Sequence, residues 1–119
     1  MDMPYVIWNV NGKEYRLRLT TLNAVQVEKQ LKMGLTEAAD HLSDPTVTTM
    51  LLWGGLQTYN HGMNFRDVCE LYDEYIASGG RVDDIMDILI ELLSQVGLCD
   101  KPEKPGKNVQ SQEPDVTGA

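Results

Sequence analysis

Basic residues are scarce in this chain. Ten lysines and arginines stand against 18 aspartates and glutamates, which gives a formal net charge of −8 and a pI near 4.5. That balance excludes binding to nucleic acid through its phosphates, which calls for a basic face. Cysteine is almost missing too. Cys69 and Cys99 lie far apart without CxxC spacing, too sparse for the disulfide framework of a small secreted domain, so both read as free thiols in a reducing cytosol. The start, MDMPYVIWNV, has no basic region followed by a long apolar run, and neither a signal peptide nor a membrane anchor is expected. GxSxG, a phosphate-binding glycine loop and HExxH are all absent from the sequence. Catalysis therefore has no support in the sequence, and no cofactor is implied.

What is present is enough for one domain. A chain of 119 residues can bury a core without staples, and residues 44–62, DPTVTTMLLWGGLQTYNHG, read as the helix the rest must wrap. After Asp44, Pro45 and Thr46, apolar residues fall on several sides of the helical wheel at Val47, Met50, Leu51, Leu52, Trp53, Leu56 and Tyr59. A helix apolar nearly all round is a buried one. It is too short to span a bilayer, and Thr48, Thr49 and Gln57 interrupt it. Gly54 and Gly55 sit in its middle, where each glycine costs about 0.5–1 kcal/mol relative to alanine. Two readings stay open: a neighbouring element crosses here with its backbone close, or the glycines are drift in a helix that packing holds anyway.

Ahead of that helix, residues 5–10 and 15–19 flank Asn11-Gly12, a pair suited to the positive φ angles of a tight hairpin turn. The second arm alternates Tyr15, Leu17 and Leu19 with Arg16, Arg18 and Thr20, one face buried and one wet. Two strands alone are marginal, so the hairpin must lie on the helices or pair its edge with another strand or subunit. Thr20 or Thr21 caps a first helix with Leu22, Val25, Leu31 and Met33 on its apolar side and a Glu28/Lys32 surface pair, ended by Gly34. Residues 35–42 form one or two turns starting at Thr36. Asn64 and Asp67 cap a helix with Phe65, Val68, Cys69, Tyr72, Tyr75 and Ile76 on one stripe. Gly79-Gly80 breaks it, and a last helix carries Ile85, Met86, Leu89, Leu92, Leu93 and Val96 inward, ending at Gly97 and closing a helical hairpin. From Asp100 the composition turns to proline, lysine and small polar residues, which reads as a disordered tail. The expected architecture is α+β and mostly α: an N-terminal hairpin and about four helices around a buried central one in residues 1–99, with 100–119 as the tail.

Residues 65–93 imitate an EF-hand, but aligning Gly80 and Val82 with its loop puts Tyr75, Ala77, Gly79 and Met86 where calcium needs oxygen ligands. His41 and His61 share no ligand spacing with a second His, Cys or carboxylate, and Cys69 reads as a small buried hydrophobe. Acid, by contrast, is concentrated in the last two helices. Asp67, Glu70, Asp73, Glu74, Asp83, Asp84, Asp87 and Glu91 stand against Arg66 and Arg81. The plain reading is a solvated face. The functional one is a docking surface for a basic or amphipathic partner helix, with Tyr72 and Tyr75 beside it.

In sequence, a hairpin, YRLRLTT, a capped helix, DPTVTTMLLWGGLQ, NFRDVCELYDEYIASGG and a final amphipathic helix resemble the tail assembly chaperones of long-tailed bacteriophages, in prophage versions from Gram-positive hosts. The resemblance covers about residues 5–98 and rests on a pattern of short pieces rather than one invariant motif. It implies a non-enzymatic protein of the host bacterial cytoplasm that binds the tape-measure protein, keeps it soluble and promotes tail-tube polymerisation around it. It also implies contact with the tail-tube protein through a frameshifted longer form, possible self-association, and absence from the mature virion. Gly106, Lys107 and Asn108 are residues that a purine-rich slippery site could encode. The alternative is an acidic DNA mimic or inhibitor that occupies a basic groove, and a third reading is a structural subunit that stays in the particle.

Overall fold

Asn11 and Gly12 take φ angles of 51° and 87°, the paired positive values of a type I′ turn, whose twist matches the strands it joins. It connects β1 (Val6–Val10) to β2 (Lys13–Leu17), antiparallel, with Val10 opposite Lys13, Trp8 opposite Tyr15 and Val6 opposite Leu17. The computed structural model describes residues 5–99. The expected tail from Asp100 lies outside the described residues. Val6, Trp8 and Val10 face inward while Ile7 and Asn9 face out, the period of two that a half-buried strand requires. Beyond β2 the chain stays extended and is laced to the helices through its backbone. Arg18 N–H donates to the Gly55 carbonyl at 2.9 Å, Thr58 Oγ1 donates to the Arg18 carbonyl at 2.7 Å, and Leu19 N–H donates to Gln95 Oε1 at 2.7 Å.

Five α-helices follow among the described residues: α1 (Thr21–Leu31), the single turn α2 (Leu35–Ala38) running into a 3-10 turn at Ala39–His41, α3 (Pro45–Leu56), α4 (Phe65–Ala77) and α5 (Val82–Gln95). The fold is α+β and mostly α, with α3 at its centre. Val47, Met50, Leu51, Leu52 and Leu56 of α3 are buried together with both glycines. Thr48 and Thr49 are buried as well, and their hydroxyls donate to the carbonyls of Leu42 and Pro45. That satisfies groups which would otherwise cost about 1–3 kcal/mol each. The helix ends at Leu56, earlier than the expected 60–62, and turns carry the chain on to Asn64.

The two glycines are close crossings. A Cβ on Gly54 would stand 2.5 Å from Val27 Cγ2 on α1, and one on Gly55 would stand 3.1 Å from both Leu17 Cβ and Leu92 Cδ1. This contact sets the phase of α1 and overturns its expected apolar side. Ala24 and Val27 face α3, whereas Leu22 and Val25 point outward; α1 comes so near the bare backbone at Gly54 that Val27 takes the place a side chain there would fill. Thr20 Oγ1 caps α1 at Asn23 N–H. Lys32, at φ 60°, ends it before Gly34, and Glu28 accepts from Leu35 N–H at 2.8 Å instead of pairing with Lys32. Gly34, not Thr36, is therefore the cap of α2.

The stripe of α4 is also shifted. Val68, Leu71 and Tyr75 are buried, Cys69 and Tyr72 half-buried, and Phe65 and Ile76 exposed. Asn64 and Asp67 form the reciprocal capping box that fixes where α4 starts. It stops in a Schellman turn: Gly80 N–H donates to the Tyr75 carbonyl at 2.8 Å and Gly79 takes φ 97°. Residues 78–81 alone separate the two helices, so no calcium loop exists there. In α5, Ile85, Ile88, Leu89, Leu92 and Leu93 face inward, with Met86 and Val96 half-buried. At about 1.5–3 kcal/mol for each fully buried side chain, these five are a large share of the core. The two helices do not form the expected helical hairpin: α4 and α5 pack mainly on β1 and α3 rather than on each other.

Candidate docking surfaces

Trp8 explains that arrangement. It is 1% exposed, and its ring lies 5.6 Å from Tyr75 on α4 and 6.3 Å from Tyr15 on β2. A large aromatic on the hairpin thus fills the space that direct contact between the two helices would occupy. Its Nε1 is buried and has no hydrogen-bond partner among the described residues, an arrangement that costs about 1–3 kcal/mol. Tyr75 donates its hydroxyl to the Arg81 carbonyl at 2.7 Å, and its ring lies flat where a side chain on Gly80 would stand. Burial pushes the phenols of both Tyr72 and Tyr75 above the ordinary tyrosine value, with the nearby charge of Asp84 adding to the effect at Tyr75. Tyr75 is a core residue and Tyr72 half-buried, so little of this pair is left to a partner.

The acidic residues of α4 and α5 are spread over several environments. Glu70 pairs with Arg66 at 3.5 Å on the exposed side of α4, where Asp73 also lies. Glu74 accepts from the Asn11 side chain at 3.3 Å, beside the hairpin turn. Asp83 pairs with Arg81 at 3.4 Å. Glu91 is half-buried. Asp84 and Asp87, three apart on one face of α5, are brought together with Tyr75 in a cleft of about 430 Å³, whose other walls are Ile7, Trp8 and Asn9 of β1 and the turn at 79–81.

A second surface went unseen in the sequence because Leu22 and Phe65 were expected inside. Trp53, half-buried on α3, is the shared floor of two adjoining clefts. One, of about 470 Å³, is lined by Leu22, Asn23 and Gln26 of α1 and by Gln57, Thr58 and His61 beyond α3. The other, of about 230 Å³, is lined by Gln30, Met50, Asn64 and Phe65. Leu22 is 69% exposed and Phe65 36%. No lysine, arginine, aspartate or glutamate lines either cleft. The signal for this surface was the spacing of Ala24, Val27 and Leu31, which with Gly54 fixes the inner side of α1 and leaves Leu22 outside.

His41 Nδ1 lies 3.6 Å from Asp44 at the surface, while His61 edges the larger of these clefts. Both cysteines are free thiols. Among the described residues no group of three or more His, Cys, Asp or Glu side chains could hold a metal ion, and no helix is long and apolar enough to cross a membrane. Compared with protein-family models, curated proteins and solved structures, the chain matches none.

Proposed function

We propose that this protein is a non-enzymatic tail assembly chaperone of a long-tailed phage or prophage, acting in the host cytoplasm and leaving before the virion is complete. It binds the tape-measure protein, keeps that protein's apolar helices soluble and promotes tail-tube polymerisation around it, reaching the tube protein through a longer frameshifted form. The observation that carries this reading is the uncharged groove over Trp53, flanked by the exposed Leu22 and Phe65, on a body of net charge −8. A groove of this kind lends apolar surface to an amphipathic helix without burying a charge, and the acidic remainder keeps the complex dispersed. On this reading the tape measure is held on the side where α1 crosses α3, and the acidic residues of α4 and α5 keep the complex dispersed.

The test is co-expression with the tape-measure protein encoded in the same genome, followed by size-exclusion chromatography with light scattering. The expected result is a tape measure soluble only with this chain, in a complex of several copies. Leu22→Asp with Phe65→Asp should leave the circular dichroism of the chain unchanged and return the tape measure to the insoluble fraction. A tape measure kept soluble by this double variant sinks the groove as its site. Complex formation that fails steeply with added salt points instead to the acidic-inhibitor reading, because burial of apolar surface is far less sensitive to ionic strength.

A further inference from the structure

The two edges of the hairpin are not alike. Hydrogen-bonded pairing at Val10/Lys13, next to the two-residue turn, alternates along the ladder, so the backbone groups of Glu14, Arg16 and Arg18 point away from β1, and those of Ile7 and Asn9 point away from β2. The β2 side is protected: Arg18 N–H is bonded to the Gly55 carbonyl, and Lys13, Glu14 and Arg16 put charge along the strand. Among the described residues the β1 side has no such device. Its sequence, VIWNV, carries neither charge nor proline, the features that normally blunt an open edge.

Ile7, Trp8 and Asn9 all line the cleft of about 430 Å³ against α5. Side chains of consecutive strand residues alternate between faces, so only a cleft running along the strand edge touches all three. Two further observations say what it takes. Trp8, 1% exposed, belongs to this wall, and its indole N–H is buried without an acceptor among the described residues. Across from it, Asp84 and Asp87 have no salt-bridge partner among the described residues, while the neighbouring Arg81 is taken by Asp83.

We propose that the free edge of β1 is a strand-addition site for an extended segment of a partner protein that carries lysine or arginine. The segment's backbone pairs with the N–H and carbonyl groups of Ile7 and Asn9, and its cations meet Asp84 and Asp87. A second copy of this chain is disfavoured, because it brings the same acidic wall and the same net charge of −8. The site shares no residue with the groove over Trp53 and stands independently of the chaperone reading.

The experiment uses the full, isotope-labelled chain and a capped octapeptide of alternating lysine and threonine. Binding is followed by amide shifts and hydrogen exchange. On saturation the Ile7 and Asn9 amides are expected to shift and exchange more slowly, with the Trp8 indole signal moving alongside them. Asp84→Asn with Asp87→Asn, both exposed, should weaken binding about tenfold. The same peptide methylated on every backbone nitrogen keeps its charge and loses its strand donors, and should not bind. Equal binding of the methylated peptide overturns the proposal in favour of simple charge attraction. Protection of Ile7 and Asn9 that grows with protein concentration alone overturns it in favour of a second copy. Protection in the free chain that disappears when Lys101, Lys104 and Lys107 are replaced by serine overturns it in favour of the chain's own C-terminal segment.

Discussion

Replacing Gly54 by alanine sets two known effects against each other. In an open helix the change stabilises by about 0.8–1.0 kcal/mol, because alanine loses less backbone entropy on folding. Here the new methyl would lie 2.5 Å from Val27 Cγ2 and 3.2 Å from Leu19 Cδ1. Val27 is fully buried, and as a β-branched residue it has few χ1 positions to retreat to. Relief therefore requires α1 to move off α3, and forcing extra volume into a packed core costs about 1–3 kcal/mol. Because this contact is the tighter end of that range, the expected net loss is roughly 1–2 kcal/mol, or about 4–8 °C in Tm for each kcal/mol in a domain of this size. Urea unfolding followed by far-ultraviolet circular dichroism and tryptophan fluorescence measures it. Gly55→Ala meets Leu17 Cβ at 3.1 Å, an atom that no rotamer change can move, but the overlap is milder. Its loss should be smaller, from near zero to about 1 kcal/mol. A double-mutant cycle with Val27→Ala supplies the control: if α1 truly lies against Gly54, the two substitutions couple favourably by about 1 kcal/mol. A stability gain for Gly54→Ala, or no coupling with Val27, would refute the close crossing.

Two other predictions concern the lacing of the fold and its behaviour in alkali. Gln95→Ala removes the acceptor of the buried Leu19 N–H and should lower the urea-unfolding free energy by about 1–3 kcal/mol, whereas Gln95→Glu, which keeps an oxygen there, should lose clearly less. Burial raises the phenols of Tyr72 and Tyr75 above their ordinary value of 10.0. Above that pH the unfolded chain gives up protons that the folded one retains, so the contribution of these two phenols to stability is constant below about pH 10 and falls as pH rises beyond it. Urea midpoints measured alongside the ultraviolet absorbance of ionising tyrosine should show this fall, and a midpoint flat through that range would contradict it.

The elements were legible because each carried a local chemical signature. Asn11-Gly12 can form few turns other than the one observed, Asn64 and Asp67 cap α4 as their spacing implies, and Gly79 and Gly97 end their helices in positive-φ turns. What the sequence hid was rotational phase. Leu22, Val25, Phe65 and Ile76 are as apolar as their buried neighbours, and a one-dimensional pattern places them inside. Ala24 and Val27 displace the larger residues only because α1 must approach a pair of glycines. That choice is made between helices and not within one. The same holds for the acidic residues: their number could be read, but not that Asp84 and Asp87 face a strand edge while Glu70 and Asp83 are occupied by arginines.

The surfaces follow from this internal geometry. With α3 serving α1 at Gly54 and the β2 extension at Gly55, one side of the hairpin is closed by direct approach of backbone to neighbouring elements. The other side is held by Trp8 and Tyr75, two rings that fill volume without supplying backbone partners to β1. The cleft lies between β1 and α5, and among the described residues the outward backbone groups of Ile7 and Asn9 find no hydrogen-bond partner. The inward approach of Ala24 and Val27 likewise turns Leu22 outward and uncovers Trp53. Each cleft is thus the outer counterpart of a specific inner contact, which is why a substitution at Gly54 should disturb the groove over Trp53 before it disturbs the cleft at β1.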